Sequence, residues 1–231
     1  MMGEGRLLLM DTCGAAGSVA VAERGAVAGE RTLSVRGATA ELIPAVRGLL
    51  AERGWALDEL EAIVVVSGPG SFTGIRIGVS AAKGLSEGAG VPVVALSRLE
   101  VLAAKATGGE GRIHAVLDAG RGEFYWGSSV RRGDVLTCER EAMLRREELE
   151  RELAASAGRL VVCEAKVAEA LEGLRPERVE EPVASDALGP ALAALRAGRL
   201  ADVATLDANY LRRAEVEMLE KMKAHAHEAG A

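Results

Sequence analysis

The strongest constraint on this chain is the run Val64-Val65-Val66-Ser67-Gly68-Pro69-Gly70-Ser71-Phe72-Thr73-Gly74-Ile75-Arg76. A short β-branched stretch ends in a Gly-Pro-Gly turn, and residues at helical spacing follow. This is a strand-to-helix joint of an α/β protein. Backbone N–H groups at a helix start point at an anion, so joints of this kind often hold phosphate. Whether this loop still works on a phosphate, or only shapes a surface, decides what the chain does.

Composition narrows the choice. At 231 residues the chain is long enough for one large domain or two small ones. Hydrophobic residues make up 49% and aromatics only 3%, so a sizeable core must be built from Ala, Val, Leu and Ile. So few aromatics argue against a base-stacking platform for single-stranded nucleic acid. The net charge of −6 argues against a lone nucleic-acid clamp, which carries a basic face. An acidic subunit can still serve a nucleic-acid enzyme if a partner makes the contacts. Cys13, Cys138 and Cys163 are odd in number and scattered, which is neither a disulfide framework nor a metal spacing, and fits a reducing compartment. The histidines are His114, His225 and His227, the last two in a tail with no acidic or Cys cluster of metal-ligand spacing. Arg6–Met10 is apolar but too short for a signal peptide and reads as a first core strand. No stretch approaches the ~18 apolar residues of a membrane helix.

Hydrophobic periodicity predicts strands at Leu7–Thr12, Ser18–Ala22 and Ala26–Ser34, an antiparallel meander. Thr39 is expected to cap a helix over Ala40–Arg53, which makes Pro44 a first-turn proline. A strand at Ala62–Ser67, a helix at Thr73–Glu87 and a strand at Val91–Leu96 complete a β-β-β-α-β-α-β order. The second half repeats the pattern less clearly. It has a helix at Leu99–Ala106, strands at Ile113–Asp118, Glu123–Val130 and Asp134–Cys138, and a helix at Glu147–Ala157. A strand at Leu160–Cys163 and a helix at Lys166–Glu172 follow. Pro176–Pro182 reads as a charged, irregular link, Leu188–Ala197 as a helix, and Tyr210–His225 as a closing helix. Both halves open on a strand ending in Asp and a small-residue turn, Asp11-Thr12 and Asp118-Ala119. A duplicated unit follows from this, with lobes at 1–97 and 98–231 and the last helix returning to the first lobe.

Few residues carry nameable chemistry. Asp11, at the end of a buried strand, is of a type that orients a water or a metal-bound phosphate, or simply caps its turn. The glycine loop lacks the Gly-Lys-Ser/Thr that aims a lysine at a phosphate, and Pro69 removes one N–H. Arg76 and Lys83 are poor substitutes for that lysine. Gly74, Gly78, Ala81, Ala82 and Ser86 make one side of the following helix thin enough for another element to approach closely. No Gly-x-Ser-x-Gly elbow and no His-Glu-x-x-His pair occurs.

At this point the residues resemble a known family. Ser67–Gly78 (Ser-Gly-Pro-Gly-Ser-Phe-Thr-Gly-Ile-Arg-Ile-Gly) looks like the signature of the bacterial TsaB (YeaZ) family. Met10-Asp11-Thr12, Leu42-Ile43-Pro44, Leu96-Ser97, Leu117-Asp118-Ala119, Gly122–Trp126 and Tyr210-Leu211-Arg212 agree with it. The match is dense over residues 1–126 and thin from about 131 to 205. The resemblance implies a two-lobed α/β fold of the actin, Hsp70 and ribonuclease H-like type. It implies a part in forming threonylcarbamoyladenosine at position 37 of tRNA, as a non-catalytic scaffold for the metal-bearing TsaD subunit, joined by the small ATPase TsaE. tRNA is then reached only through the complex, in the cytoplasm, and the chain alone is expected to form a homodimer. The catalytic relative places two histidines four apart on its early helix, and TsaB members often keep one where Ala38 stands; Ala38–Ile43 holds none here.

The resemblance therefore implies no catalytic residue, metal or cofactor on this chain. A vestigial nucleotide pocket is expected at Asp11, Thr12, Gly68, Gly70, Ser71 and Asp118. A partner interface is expected on the first two helices, at Thr39, Ile43, Val46, Leu50, Ile75, Arg76, Val79, Ala82 and Lys83. The competing reading is an active actin-superfamily ATPase or phosphotransferase, with Asp118 as the acidic residue opposite Asp11. A metalloprotease is a third reading, opposed by the missing histidine pair.

Overall fold

Leu7, Leu8, Leu9 and Met10 are all buried, which requires a strand covered on both faces. In the computed structural model, which describes residues 5–211, this strand is β1 (Arg6–Asp11) at the centre of a five-stranded sheet. It pairs antiparallel with β2 (Ala16–Glu23) and parallel with β4 (Leu60–Val66). The edges are β3 (Ala26–Val35) and β5 (Val93–Leu96), giving the order β3-β2-β1-β4-β5. Helix α1 (Ala38–Arg53) links β3 to β4, and α2 (Phe72–Ala89) links β4 to β5. Both crossovers step the same way between parallel strands, so right-handedness sets both helices on one face. There α1 lies against β2 and β3, and α2 against β4, β1 and β5.

The start of α1 differs from expectation. Its N-cap is Gly37, not Thr39. Glu41 reaches back so that its carboxylate accepts the Ser34 N–H at 2.8 Å and the Ser34 hydroxyl. This tie starts the helix earlier and leaves Pro44 in the second turn. Ala40 and Pro44 both face solvent, so the carbonyl that Pro44 leaves unpaired is open to water.

After α3 (Arg98–Ala104) the unit repeats. The second sheet holds β6 (Gly111–Gly120), β7 (Glu123–Arg132), β8 (Val135–Arg145), β9 (Arg159–Val162) and the two-residue β10 (Glu177–Arg178). Helices α4 (Arg146–Ala155) and α5 (Ala165–Ala170) provide its crossovers. Its order β10-β9-β6-β7-β8 is the first order read from the other edge, with the same pairing directions. The duplication expected from the two Asp-ended strands is therefore present. An antiparallel meander followed by two parallel strands is the ribonuclease H-like unit, and two in tandem make an actin-like molecule. β10 lies within the predicted irregular link.

The lobe assignment needs one correction. The 3-10 turn Ala184–Ala187 and α6 (Leu188–Arg196) pack into the first lobe although they follow the second in sequence, α6 also touching β8. Ala184, Ala187, Ala191, Ala194 and Leu195 are buried in the first lobe's core. The Ala184 N–H donates to Ser18 Oγ at 2.8 Å. Further on, Ala201 bridges to Val93, and the Asn209 N–H donates to the Ser67 carbonyl at 2.7 Å. Small alanine side chains are what let this segment lie close on the sheet face opposite α1 and α2. The return thus begins near Ala184; the predicted helix Tyr210–His225 lies almost wholly outside the described residues. Among those residues no helix is long and apolar enough to cross a membrane.

Candidate functional site

The carboxyl ends of β1 and β4 and the starts of α1 and α2 border a cleft of about 760 Å³, closed on the far side by residues of β6, β7 and the β9–α5 joint. Of the expected pocket residues, Thr12, Gly70, Ser71 and Asp118 line it. Asp11 is buried beneath it, and Gly68 is buried too.

The glycine loop is folded onto the end of β1. The Ser71 N–H donates to the Cys13 carbonyl at 2.8 Å, and the Gly74 N–H to Ser71 Oγ at 3.3 Å. Thr12 Oγ1 donates to the Gly74 carbonyl at 2.7 Å. A Cβ on Gly70 would stand 2.5 Å from the Cys13 carbonyl oxygen, and one on Gly74 would collide with that of Thr12. The glycines are thus needed for close approach within the chain. The thin side of α2 serves the same end, because Gly74 and Gly78 seat against Thr12 rather than against another molecule.

Asp11 accepts the Cys13 N–H at 2.8 Å through Oδ1, and its buried Oδ2 has no hydrogen-bond partner. Burial pushes its carboxyl above the usual range, against the pull of nearby Arg98. Burial and the Asp11 charge likewise push the Cys13 thiol well up, which suits an inert core cysteine. Asp118 is tied differently. Its Oδ2 accepts from Lys166 Nζ and its Oδ1 from the Gly120 N–H, at 2.8 and 3.0 Å. The Lys166 hydrogen bond holds its carboxyl below the usual range. Asp11 thus lies buried, while Asp118 lines the cleft paired with Lys166.

Sequence reasoning missed a buried charge of the cleft. Arg98, at the start of α3, is buried and donates through Nη2 to Glu181 Oε1 at 2.6 Å. Burial by itself would lower its pKa, but Asp11, Cys13 and Glu181 together raise it, so it stays charged. An arginine following a strand end and Ser97 carries no sequence signal of burial, and Glu181 sits in what reads as a solvated link.

The expected interface residues divide in two. Thr39, Ile43 and Arg76 face outward, and Lys83 is half-buried, donating to the Leu206 carbonyl at 3.1 Å. Val46, Leu50, Ile75, Val79 and Ala82 are buried in the first lobe's own core. Helical spacing turns these five toward the sheet, so they do not form a surface. The outward face gains a residue that was not expected there: Phe72 is 55% exposed, with the Arg76 guanidinium 3.8 Å above its ring centroid and Tyr210 beside it at 5.3 Å. Arg76 Nε also donates to the Tyr210 hydroxyl at 2.8 Å. Among the described residues no group of three or more His, Cys, Asp or Glu is placed to hold a metal ion.

Comparison with known proteins places this geometry. A family model described as TsaD, tRNA N6-adenosine threonylcarbamoyltransferase, matches residues 32–156. The chain is 39% identical over 123 residues to an Escherichia coli protein named tRNA threonylcarbamoyladenosine biosynthesis protein TsaB, covering 52% of this chain and 53% of the relative. A Bacillus subtilis protein of the same name is 46% identical over 85 residues, 37% of each chain. The chain thus spans about half or less of the length of these curated relatives. The solved structure of YeaZ from Pseudomonas aeruginosa superposes with a TM-score of 0.76 at 30% identity, covering 90% of this chain and all of that one.

Proposed function

The chain belongs to the TsaB (YeaZ) family, and on that premise we propose that it serves tRNA threonylcarbamoyladenosine biosynthesis as a non-catalytic subunit docking on a TsaD-like catalytic partner. The observation that carries the non-catalytic reading is the self-contained glycine loop. Its space is taken by Thr12 and Cys13, and two of its N–H groups are already used within the chain. Asp11 is buried and Asp118 is paired with Lys166, which leaves no free carboxylate pair for phosphoryl transfer. The outward face of α1 and α2 supports the docking role. Ile43 is 41% exposed, and Phe72, Arg76 and Tyr210 form an aromatic–guanidinium cluster of the kind enriched at interfaces. In isolation the same face pairs two copies of the chain. A TsaE-like ATPase joins the complex in the cytoplasm, and tRNA is reached through the partners, in keeping with a net charge of −6.

Reconstitution tests this. The purified chain is expected to show no ATP turnover alone, and modified tRNA is expected only when the TsaD-like and TsaE-like subunits are added. Replacing both Ile43 and Arg76 by Glu is expected to weaken association with the TsaD-like subunit at least tenfold without altering circular dichroism. Substantial ATP turnover by the isolated chain would overturn the scaffold reading in favour of an active ATPase. Unchanged association of the double variant would move the interface elsewhere.

A further inference from the structure

The cleft holds a charge arrangement that docking on a partner does not use. Arg98 is 4% exposed, yet its Nε has no hydrogen-bond partner, and its Nη1 makes only a long 3.5 Å contact to the Cys13 carbonyl. A guanidinium offers five N–H donors in a planar fork that suits an oxyanion. Among the described residues it makes an ion pair with Glu181, which is 51% exposed, while the Asp11 carboxylate acts on it without a hydrogen bond. Glu181 lies in irregular chain between β10 and the turn at Ala184, so no ladder or helix holds it in place. Its carboxylate rests directly on Gly14, where a Cβ would stand 2.5 Å from Oε1 and 3.0 Å from Arg98 Nη2. The space left by a missing side chain on the β1–β2 turn is therefore filled by a carboxylate from a distant part of the chain.

We propose that Arg98 and the Cys13-Gly14-Ala15 turn form a seat for a small oxyanion, a carboxylate or phosphate group, which Glu181 occupies as an internal stand-in. An anion from solution takes the seat when Glu181 moves aside. The buried guanidinium cannot be left without a counter-charge, so exchange of one anion for another is the inexpensive route. Asp11 and Glu164 also act on the Arg98 charge, so the incoming group binds beside acidic neighbours, as Glu181 does. The unpartnered Nε supplies a donor that Glu181 does not use.

Isothermal titration of the full chain with sodium acetate and, separately, inorganic phosphate at constant ionic strength tests the seat. Glu181→Ala is expected to bind at least one anion tenfold or more tightly than the wild type. Adding Arg98→Lys, which keeps the charge but removes the fork, is expected to reverse the gain at least tenfold. Gain with acetate alone assigns a carboxylate ligand, and gain with phosphate a phosphate group. Should Glu181→Ala fail to fold by circular dichroism, Glu181→Gln, of equal size, carries the same expectation. A gain below tenfold for both anions, or a gain that survives Arg98→Lys, overturns the proposal.

Discussion

His114 shows how a single buried group contributes to the response of this molecule to pH. It is 1% exposed, and Trp126 Nε1 donates to its Nδ1 at 3.2 Å. The Ser156 carbonyl lies 2.8 Å from its Nε2. An indole N–H can only donate and a carbonyl can only accept, so the ring is neutral with its proton on Nε2. Burial, the largest influence, lowers its pKa below the ordinary 6.5. The unfolded chain therefore binds a proton at a higher pH than the folded one does, and this residue's contribution to stability falls as pH drops below about 6.5. Asp11, Glu100 and Glu164 act in the opposite sense, because burial raises their carboxyls and the folded state takes up their protons first. His114→Gln isolates the histidine. Denaturant midpoints at pH 7 and pH 5 are expected to show a larger loss on acidification in the wild type than in the variant; equal losses would place the ring outside the titration. None of this was visible in the sequence, where His114 is one apolar-flanked histidine among three and its partners stand 12 and 42 residues away.

At the scale of the element, α1 and α2 divide cleanly into a core side and an outer side, and that division governs what substitutions report. Val79 is 5% exposed within α2, whereas Ile43 stands on the outer side of α1. An aspartate at Val79 would be an unpaired charge in the core and is expected to lower stability on the order of 4 kcal/mol. Ile43→Asp is expected to cost about 0.5 kcal/mol, as exposed substitutions do. Urea midpoints check both, and a well-folded Val79→Asp chain would return that face of α2 to the surface. The elements themselves were legible, because β-branched runs, helical spacing and glycine stops act locally. Their inner and outer sides were not. Leu42, Val46 and Leu50 are apolar on one side while Ile43 and Pro44 are apolar on the other, so periodicity alone could not say which side met the sheet. The glycine loop was legible as a strand-to-helix joint, but that Gly70 and Gly74 make room for the chain's own Cys13 and Thr12 depends on contacts some 60 residues apart.

For the whole molecule, the decisive feature is the chain's return to its first lobe. β1 and β4 are buried on both faces, and α1 and α2 cover only one. The other is covered by Ala184, Ala187, Ala191, Ala194 and Leu195, brought back after the entire second lobe has been built. Polar ties hold the return in place: Ser185 to Glu30, Lys105 to Asp186 and Arg199 to Glu100. Composition gave no hint of this, because an alanine-rich helix at Leu188–Arg196 reads the same whichever sheet it covers. A boundary near Arg98 thus separates two sheets but not two independently stable units. Residues 1–97 made alone would expose one full face of Leu and Val side chains to water, each worth roughly 1.5–3 kcal/mol when buried. That loss exceeds what a marginally stable lobe can bear. The fragment is expected to show no cooperative urea transition and to bind a hydrophobic dye, while the full chain unfolds in a single step reported alike by the fluorescence of Trp55 and Trp126 and by far-ultraviolet circular dichroism. A cooperative transition in the fragment would mean that the first lobe folds without its late cover, and that the C-terminal segment joins a structure already complete.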